Sequence, residues 1–561
     1  MRAVDYLLRK LIDCGVTDIF GIPGGVVLDF LYAAEARKAE ICPHLCYHEQ
    51  GAGFAALGYA QVQGTLGVAY ATRGPGFTNL ITPMADAFQE SIPVLFITAH
   101  GNKTANAALR MEDDQEMDTI SIVDGITKYA ARVDEIEEFA FAVDNACRYA
   151  LDGRMGPVFL DVYSALWNRE LPETQALESH FHEDTKEQDT QIDEIVDAIN
   201  EAKRPVILVG NGVLLSKVQK NVEWFAEKYN IPILSSRGSQ DLLASSELYF
   251  GYVGSHGIRY SNFILSKADL VISFGNRMAF PLKSESFAPL FQRMKTIRVD
   301  VDDNEFLREI PNSITVHTDL RDFFLKMQNA ELHRHDNNWI ESCRTIKDTL
   351  FQCDTDFPVD LLSEILLKVL PEVTIVSDVG NHEFWVSRAY EHAGIDHRIL
   401  YTKSFGALGC ALPKAIGVYY KTKAPVLCIV GDQGIQMNIQ ELQFIASMRI
   451  PVVILVLNNY SSGMIRSREM KKFGQHFVHT TTEDGYSCPN FGKIAAAYGV
   501  KYAKLDDAQS IDFQNIAEPI LFEIEVDPKV DLVPFLPKGN LCQNMAPPLE
   551  KELYFSLNTL C

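Results

Sequence analysis

The sequence has no apolar run long enough to cross a bilayer, and its opening, MRAVDYLLRKLIDCG, has no signal-peptide core. We therefore expect no membrane partner and a cytoplasmic location. It also lacks a basic stripe. The net charge is −23, so a nucleic acid would be repelled overall. The cysteines offer no disulfide framework: there are 11, an odd number scattered through apolar segments, which reads as reduced core thiols. No internal repeat of solenoid period is visible. What remains is a chain of 561 residues, 47% hydrophobic and 22% charged, the composition of a soluble globular protein with about three domains.

The most informative stretch runs from Val426 to Asn459. A buried strand (Val426–Val430) leads into the turn Gly431-Asp432-Gln433-Gly434, and an amphipathic helix is expected through Gln440 to Met448. A second apolar strand, Val452–Leu457, ends in Asn458-Asn459. This spacing predicts a βαβ unit in a parallel sheet, whose carboxyl end is where ligands bind. Asp432 and Asn459 then lie at the sheet mouth, able to share one cation. Mg²⁺ takes hard oxygen ligands and keeps positions for phosphate. One carboxylate, one amide and a carbonyl near Ser461 make such a half-shell, with a diphosphate on the N–H groups of Gly434 and Ile435.

Gly431-Asp432-Gln433 followed by Asn458-Asn459 resembles the thiamine diphosphate motif, and GDQGIQMNIQEL and LNNYSSGMI are similar to strings of the acetohydroxyacid synthase group. The family's third motif glycine is Gln433 here, with Gly434 one place later. The resemblance extends to FGIPGG (with Pro23 and Gly24), HEQGAGFAALGYA and GPGFTNLITPMADA (with Asn79). It implies that Glu49 donates a hydrogen bond to N1′ of the aminopyrimidine, favouring the tautomer whose 4′ nitrogen acts as base. A carboxylate just before Ala- and Gly-rich helix packing is costly unless it is used; the alternative for Glu49 is an ordinary carboxylate at a helix start. Within MEDDQEMDTISI, Gln115 matches the glutamine beside the reacting carbon, whereas the aromatic residue preceding it in acetohydroxyacid synthases is Asp114 here. Further along, GNHEFW supplies Asn381 and His382 as diphosphate contacts, and SFGALGCALPKAIG supplies Gly406 and Leu408. Leu408 stands where an apolar wedge bends the cofactor into a V, a use of proximity; in sequence it is indistinguishable from a core leucine.

Four residues, Cys42, His44, Cys46 and His48, alternate along an expected strand at Ile41–Tyr47. Zinc ligands so aligned make a poor tetrahedron, and we expect core residues leading to Glu49. Past the metal motif, GMIRSREMKKFG puts Arg468 at the family's tryptophan position. It reads either as a fork for an anionic acceptor or as a solvated residue of a basic helix.

The expected architecture is three doubly wound parallel-sheet α/β domains: pyrimidine-binding at 1–166, central at 190–330 and diphosphate-binding at 357–540, with a tail at 541–561. Polar stretches at 167–190 and 329–356 read as linkers. Gly210-Asn211-Gly212 alone is a weak nucleotide signal. The central domain resembles one that binds FAD, through Gly254, His256, Gly257 and Arg277, but Ala279, Phe280 and Pro281 replace the family's acid-acid-arginine string. The resemblance implies thiamine diphosphate and Mg²⁺, leaves room for FAD, and puts the cofactor between two subunits of a homodimer or homotetramer. The implied activity is decarboxylation of a 2-ketoacid, pyruvate first, with carboligation to an acceptor carbonyl. Asp114 and Arg468 point to a polar or sugar-nucleotide acceptor. Acetolactate synthase proper, a simple 2-ketoacid decarboxylase and a non-catalytic paralogue are the alternatives, the last opposed by Glu49, Asp432 and Asn459 occurring together.

Overall fold

Among the described residues, eighteen short strands, most of them Val-, Ile- and Leu-rich and buried on both faces, build three parallel sheets of six strands each. The computed structural model describes residues 1–102, 113–172, 192–279, 281–354, 357–508, 511–513 and 516–560. Most of the linker expected at 167–190 lies outside them, as do Met111, Glu112 and Phe280.

The first sheet holds β1 (Asp18–Gly21), β2 (Cys42–Leu45), β3 (Gly67–Tyr70), β4 (Val94–His100), β5 (Tyr129–Val133) and β6 (Val158–Tyr163), in the order β2-β1-β3-β4-β6-β5. The central sheet comprises β7 (Pro205–Val209), β8 (Ile233–Ser236), β9 (Tyr249–Val253), β10 (Leu270–Phe274), β11 (Lys295–Asp300) and β12 (Ser313–His317), ordered β12-β11-β10-β7-β8-β9. The last is formed by β13 (Thr374–Ser377), β14 (Ile399–Leu400), β15 (Val426–Gly431), β16 (Val452–Asn458), β17 (Lys501–Lys504) and β18 (Ile520–Glu525), ordered β14-β13-β15-β16-β18-β17. The first and last sheets therefore share one strand order, and each reverses direction beside its first strand. Those reversals, between β1 and β3 and between β13 and β15, are the topological switch points where doubly wound sheets bind ligands.

The chain divides into two compact units. One contains residues 1–183, 372–383 and 399–529, with the first and last sheets; the other contains 184–371, 384–398 and 530–561, with the central sheet. In the first unit the two sheets meet through a helix pair, Glu49–Gln61 and Ala411–Thr422. These helices run antiparallel in contact, because a Cβ on Gly58 would meet the Lys414 carbonyl at 2.2 Å and one on Gly417 would meet the Ala55 carbonyl at 1.7 Å. Glycine at both positions lets backbone touch backbone. Beside the crossing, Lys414 Nζ lies 3.3 Å from Asp86 Oδ2, and both side chains are fully buried.

Several boundaries differ from expectation for identifiable reasons. The strand expected at Ile41–Tyr47 is cut to Cys42–Leu45, because the N–H groups of Tyr47 and His48 donate to the Glu441 carboxylate at 3.1 and 3.0 Å instead of to a neighbouring strand. The single helix expected through Gln440 to Met448 is two, Gly434–Met437 and Glu441–Ser447. Asn438 breaks it, donating from Nδ2 to the Gly409 carbonyl at 2.8 Å. His44 is a core residue, its ring tilted against Tyr420 with centroids 3.7 Å apart and its Nε2 2.7 Å from Asp18. Among the described residues no cluster of three or more His, Cys, Asp or Glu side chains is arranged to hold a metal, and the ten described cysteines are free thiols. No helix among them is long and apolar enough to cross a membrane.

Candidate active site

The first switch point gathers the residues expected at the pyrimidine. Glu49 is the first residue of its helix, and His48 caps that helix by accepting the Gln50 N–H on Nδ1 at 3.0 Å. Asn79, from the helix Pro75–Asn79, donates to Glu49 Oε2 at 2.9 Å. A Cβ on Gly76 would stand 3.3 Å from the other oxygen, Oε1, so the turn after β3 keeps that face of the carboxyl open. Pro23 is exposed in the loop after β1, and Gly24 packs so closely on Thr72 that a Cβ there would lie 2.4 Å from Thr72 Cβ. Gln115 is exposed and has φ +57°, an uncommon conformation for a non-glycine residue. It is held against Gly74, whose φ of +62° excludes a side chain. Asp114 beside it is exposed.

The second switch point gathers the residues expected at the diphosphate and metal. Asp432 follows β15 and is 3% exposed, with its Oδ2 accepting from the Tyr486 hydroxyl at 2.8 Å. Burial pushes its carboxyl up to about 6 against that hydroxyl and the backbone N–H groups of Gln433 and Ser461. Asn459 follows β16, and Asn381 begins the helix Asn381–Ala393. A Cβ on Gly463 would meet the amide nitrogens of both, at 2.4 and 3.0 Å, so the two side chains converge. His382 lies over Gly431, with ring atoms 3.4 Å from where a Cβ of Gly431 would be. Burial brings its imidazole down to about 4, so it is neutral at neutral pH. Gly434 and Ile435 open the helix after Asp432 and are buried; Leu408 Cδ1 reaches to 3.5 Å of where a Gly434 Cβ would be. Gly406, at φ +72°, is exposed in the loop before it. The Ser461 carbonyl accepts the Gly463 N–H at 2.8 Å and keeps a second lone pair.

These atoms fit a diphosphate held with a hard cation. Both amide atoms of Asn381 and Nε2 of His382 are buried with no hydrogen-bond partner, an unusual concentration of unmet polar groups. One carboxylate, one amide and one carbonyl match the few protein ligands that Mg²⁺ accepts.

Three participants were not picked out from the sequence. Asp378, at the end of β13, accepts N–H from Gly409 at 2.9 Å and from Cys410 at 3.1 Å, holding the turn after Leu408; burial lifts its carboxyl to about 6. An aspartate closing an apolar strand two residues before a glycine was the available signal. Glu441 caps the approach to Glu49, as described above, and burial raises it to about 7. Tyr486 has no local signal.

The remaining expectations fall elsewhere. Arg468 is exposed on the helix Gly463–Phe473, whereas Arg466 is the arginine of that helix that turns inward, over the Phe477 ring. In the second unit, Gly254 and Gly257 close their own turn, with the Gly257 N–H donating to the Gly254 carbonyl at 3.0 Å and Asn262 bonding both Gly254 backbone groups. His256 packs on Phe384, the Arg277 carbonyl accepts from Arg308, and Gly210 and Gly212 pack directly on Gly275.

Comparison with known proteins agrees with this geometry. The models of the N-terminal, central and C-terminal domains of thiamine pyrophosphate enzymes match residues 1–122, 192–327 and 378–520. The acetolactate synthase large subunit of Lactococcus lactis is 32% identical over 95% of this chain and 94% of its own length. The large subunits of Escherichia coli acetolactate synthase isozymes 1 and 2 are 30% and 28% identical, over 95% and 96% of this chain and 96% and 98% of theirs. The two switch points, matched domain by domain along the chain, make it a member of the thiamine pyrophosphate enzyme family, in its acetolactate synthase-like group.

Proposed function

We propose that the protein decarboxylates a 2-ketoacid, pyruvate first, and joins the remaining fragment to an acceptor carbonyl. The observation that carries the reading is the second switch point, where Asp432 and Asn459 converge with the unpartnered Asn381 and His382. Asp432, Asn459 and the Ser461 carbonyl would hold Mg²⁺. Asn381, His382 and the N–H groups of Gly434 and Ile435 would hold the diphosphate, and Leu408 would set the bend between the rings. Thiamine diphosphate, when bound, supplies the electron sink that makes loss of CO₂ feasible. Glu49 supplies the proton carrier at the pyrimidine, with Asn79 fixing one oxygen and Gly76 leaving the other accessible. Gln115, held in its strained conformation against Gly74, is positioned beside the reacting carbon. No step passes through a flavin.

The helix pair supports a second copy as part of the site. Because the helices are antiparallel, Glu49 and the start of the Ala411–Thr422 helix lie at opposite ends, about 18 Å apart along the pair at 1.5 Å per residue. One chain's Glu49 thus lies at the far end of the pair from its own Leu408 turn, which supports a homodimer as the smallest complete unit, with a homotetramer as a pair of these.

The acceptor is proposed to be polar, a sugar nucleotide being one such class, because Asp114 and Arg468 present charge rather than rings. Acetolactate formation from two molecules of pyruvate is the second reading, favoured by the relatives' shared activity. Product analysis of pyruvate alone, and of pyruvate with polar carbonyl acceptors, separates them: acetolactate at full rate without an added acceptor would reject the polar acceptor. Glu49→Gln is expected to abolish turnover while sparing binding of thiamine diphosphate and Mg²⁺. Undiminished turnover would remove Glu49 from the mechanism.

A further inference from the structure

A single segment, Thr480–Cys488, touches Asp432, Ser461 and the residue before Asn459. The Thr480 carbonyl accepts from Ser461 Oγ at 2.7 Å and from the Ser462 N–H at 3.0 Å. Cys488 Sγ reaches Asn458 Oδ1 at 3.5 Å, next to Asn459. Between them the half-buried Tyr486 donates from its hydroxyl to Asp432 Oδ2 at 2.8 Å. The segment is itself braced. Thr480 Oγ1 donates to Glu469 at 2.6 Å, Thr481 and Asp484 cap each other's turn, and the Tyr486 N–H donates to the Thr481 carbonyl at 2.9 Å. Gly485, at φ +109°, makes the turn that aims the ring.

We propose that Tyr486 is the positioning residue for the metal carboxylate: by occupying Oδ2 it fixes the rotation of Asp432 and leaves Oδ1 directed to a divalent cation. The proposal rests on the reading of Asp432, Asn459 and Ser461 as the Mg²⁺ site. Carboxylates that ligate metals are ordinarily oriented by such an outer hydrogen bond, and its loss typically lowers affinity about 10–100-fold. An alcohol does this without adding charge, so the carboxylate keeps its full attraction for the cation.

The test is metal binding by the full-length chain, read by electron paramagnetic resonance of Mn²⁺ and by Mg²⁺ competition. Tyr486→Phe removes only the hydroxyl. It is expected to raise the Mn²⁺ dissociation constant about tenfold or more, with the metal-free melting temperature unchanged. Metal affinity within about twofold of wild type overturns the proposal, as does tighter binding, which would make the hydroxyl a competitor of the metal. Gly485→Ala keeps the hydroxyl but strains its turn, and should weaken Mn²⁺ in the same direction, which gives a second reading if Tyr486→Phe folds poorly. Failure of the wild type to bind Mn²⁺, with Asp432→Asn no different, would instead reject the metal-site reading itself.

Discussion

Lys414 joins the two sheets of the first unit by a buried charge pair, and its removal gives a sharp test of the packing described here. Its ammonium is 3.3 Å from Asp86 Oδ2 and also bonds Thr402 Oγ1, while Asp86 Oδ1 has no hydrogen-bond partner. Lys414→Met would leave a fully buried carboxylate with no cation. Breaking such a pair from one side costs about 3–5 kcal/mol, whereas neutralising both partners is often close to neutral. The double variant Asp86→Asn with Lys414→Met should therefore recover most of the loss. The sign of the pH dependence follows from Asp86, which burial raises to about 6 against the pull of Lys414. Its folded value lies above its unfolded one, so ionising it costs stability as pH rises from the ordinary carboxylate range toward that value. Without Lys414 the window extends upward. The single variant should accordingly lose less at about pH 5 than at about pH 8. Denaturant melts of the wild type, the single variant and the double variant at both pH values measure this. A single-variant loss below about 1 kcal/mol, a double variant no better than the single, or a deficit that deepens in acid would each refute the reasoning.

Further outcomes follow from other contacts. Gly417→Ala would gain about 1 kcal/mol of helix propensity on an exposed helix, but its Cβ meets the Ala55 carbonyl at 1.7 Å. A net loss of about 1–3 kcal/mol is expected in the same melts, and a stabilised variant would show that the helices do not touch. Asp378→Ala strands the Gly409 and Cys410 N–H groups in the interior, at about 1–3 kcal/mol each. It should lower both melting temperature and affinity for thiamine diphosphate, read by calorimetry. His382, brought down to about 4 by burial, is neutral across the working range. Its depressed value means that stability declines as pH falls below the ordinary histidine range, and His382→Asn should remove that part of the acid sensitivity in a pH series of melts.

The three doubly wound sheets were legible because parallel strands buried on both faces leave unbroken apolar runs, and PVILVG and VLCIVG are such runs. Strand ends, turn glycines and a carboxylate in fixed order marked Asp432, Asn459, Gly434 and Ile435 locally, whereas Asn79, Gln115, Asn381, His382 and Leu408 were named through the family resemblance of their strings. What escaped was the long-range part. Glu441 bonds backbone N–H groups almost four hundred residues earlier in the chain, so nothing near it in sequence marks its task. Tyr486 reaches Asp432 across a turn with no periodicity of its own. Asn438 interrupts a helix whose apolar spacing continues unbroken, because its amide has a better partner in the Gly409 carbonyl than in the helix.

The helix after the second strand of the first sheet crosses the helix after the second strand of the last sheet, glycine beside backbone in each direction. That is the arrangement of a self-complementary dimer, built inside one polypeptide about a local dyad. With the scaffold symmetric, the chemistry is free to be unlike at the two ends: one half carries Glu49, the other Asp432 and Asn459, proposed above as an acid and a cation seat. On the proposed function each half would be chemically mute alone, and activity would be a property of assembly rather than of folding.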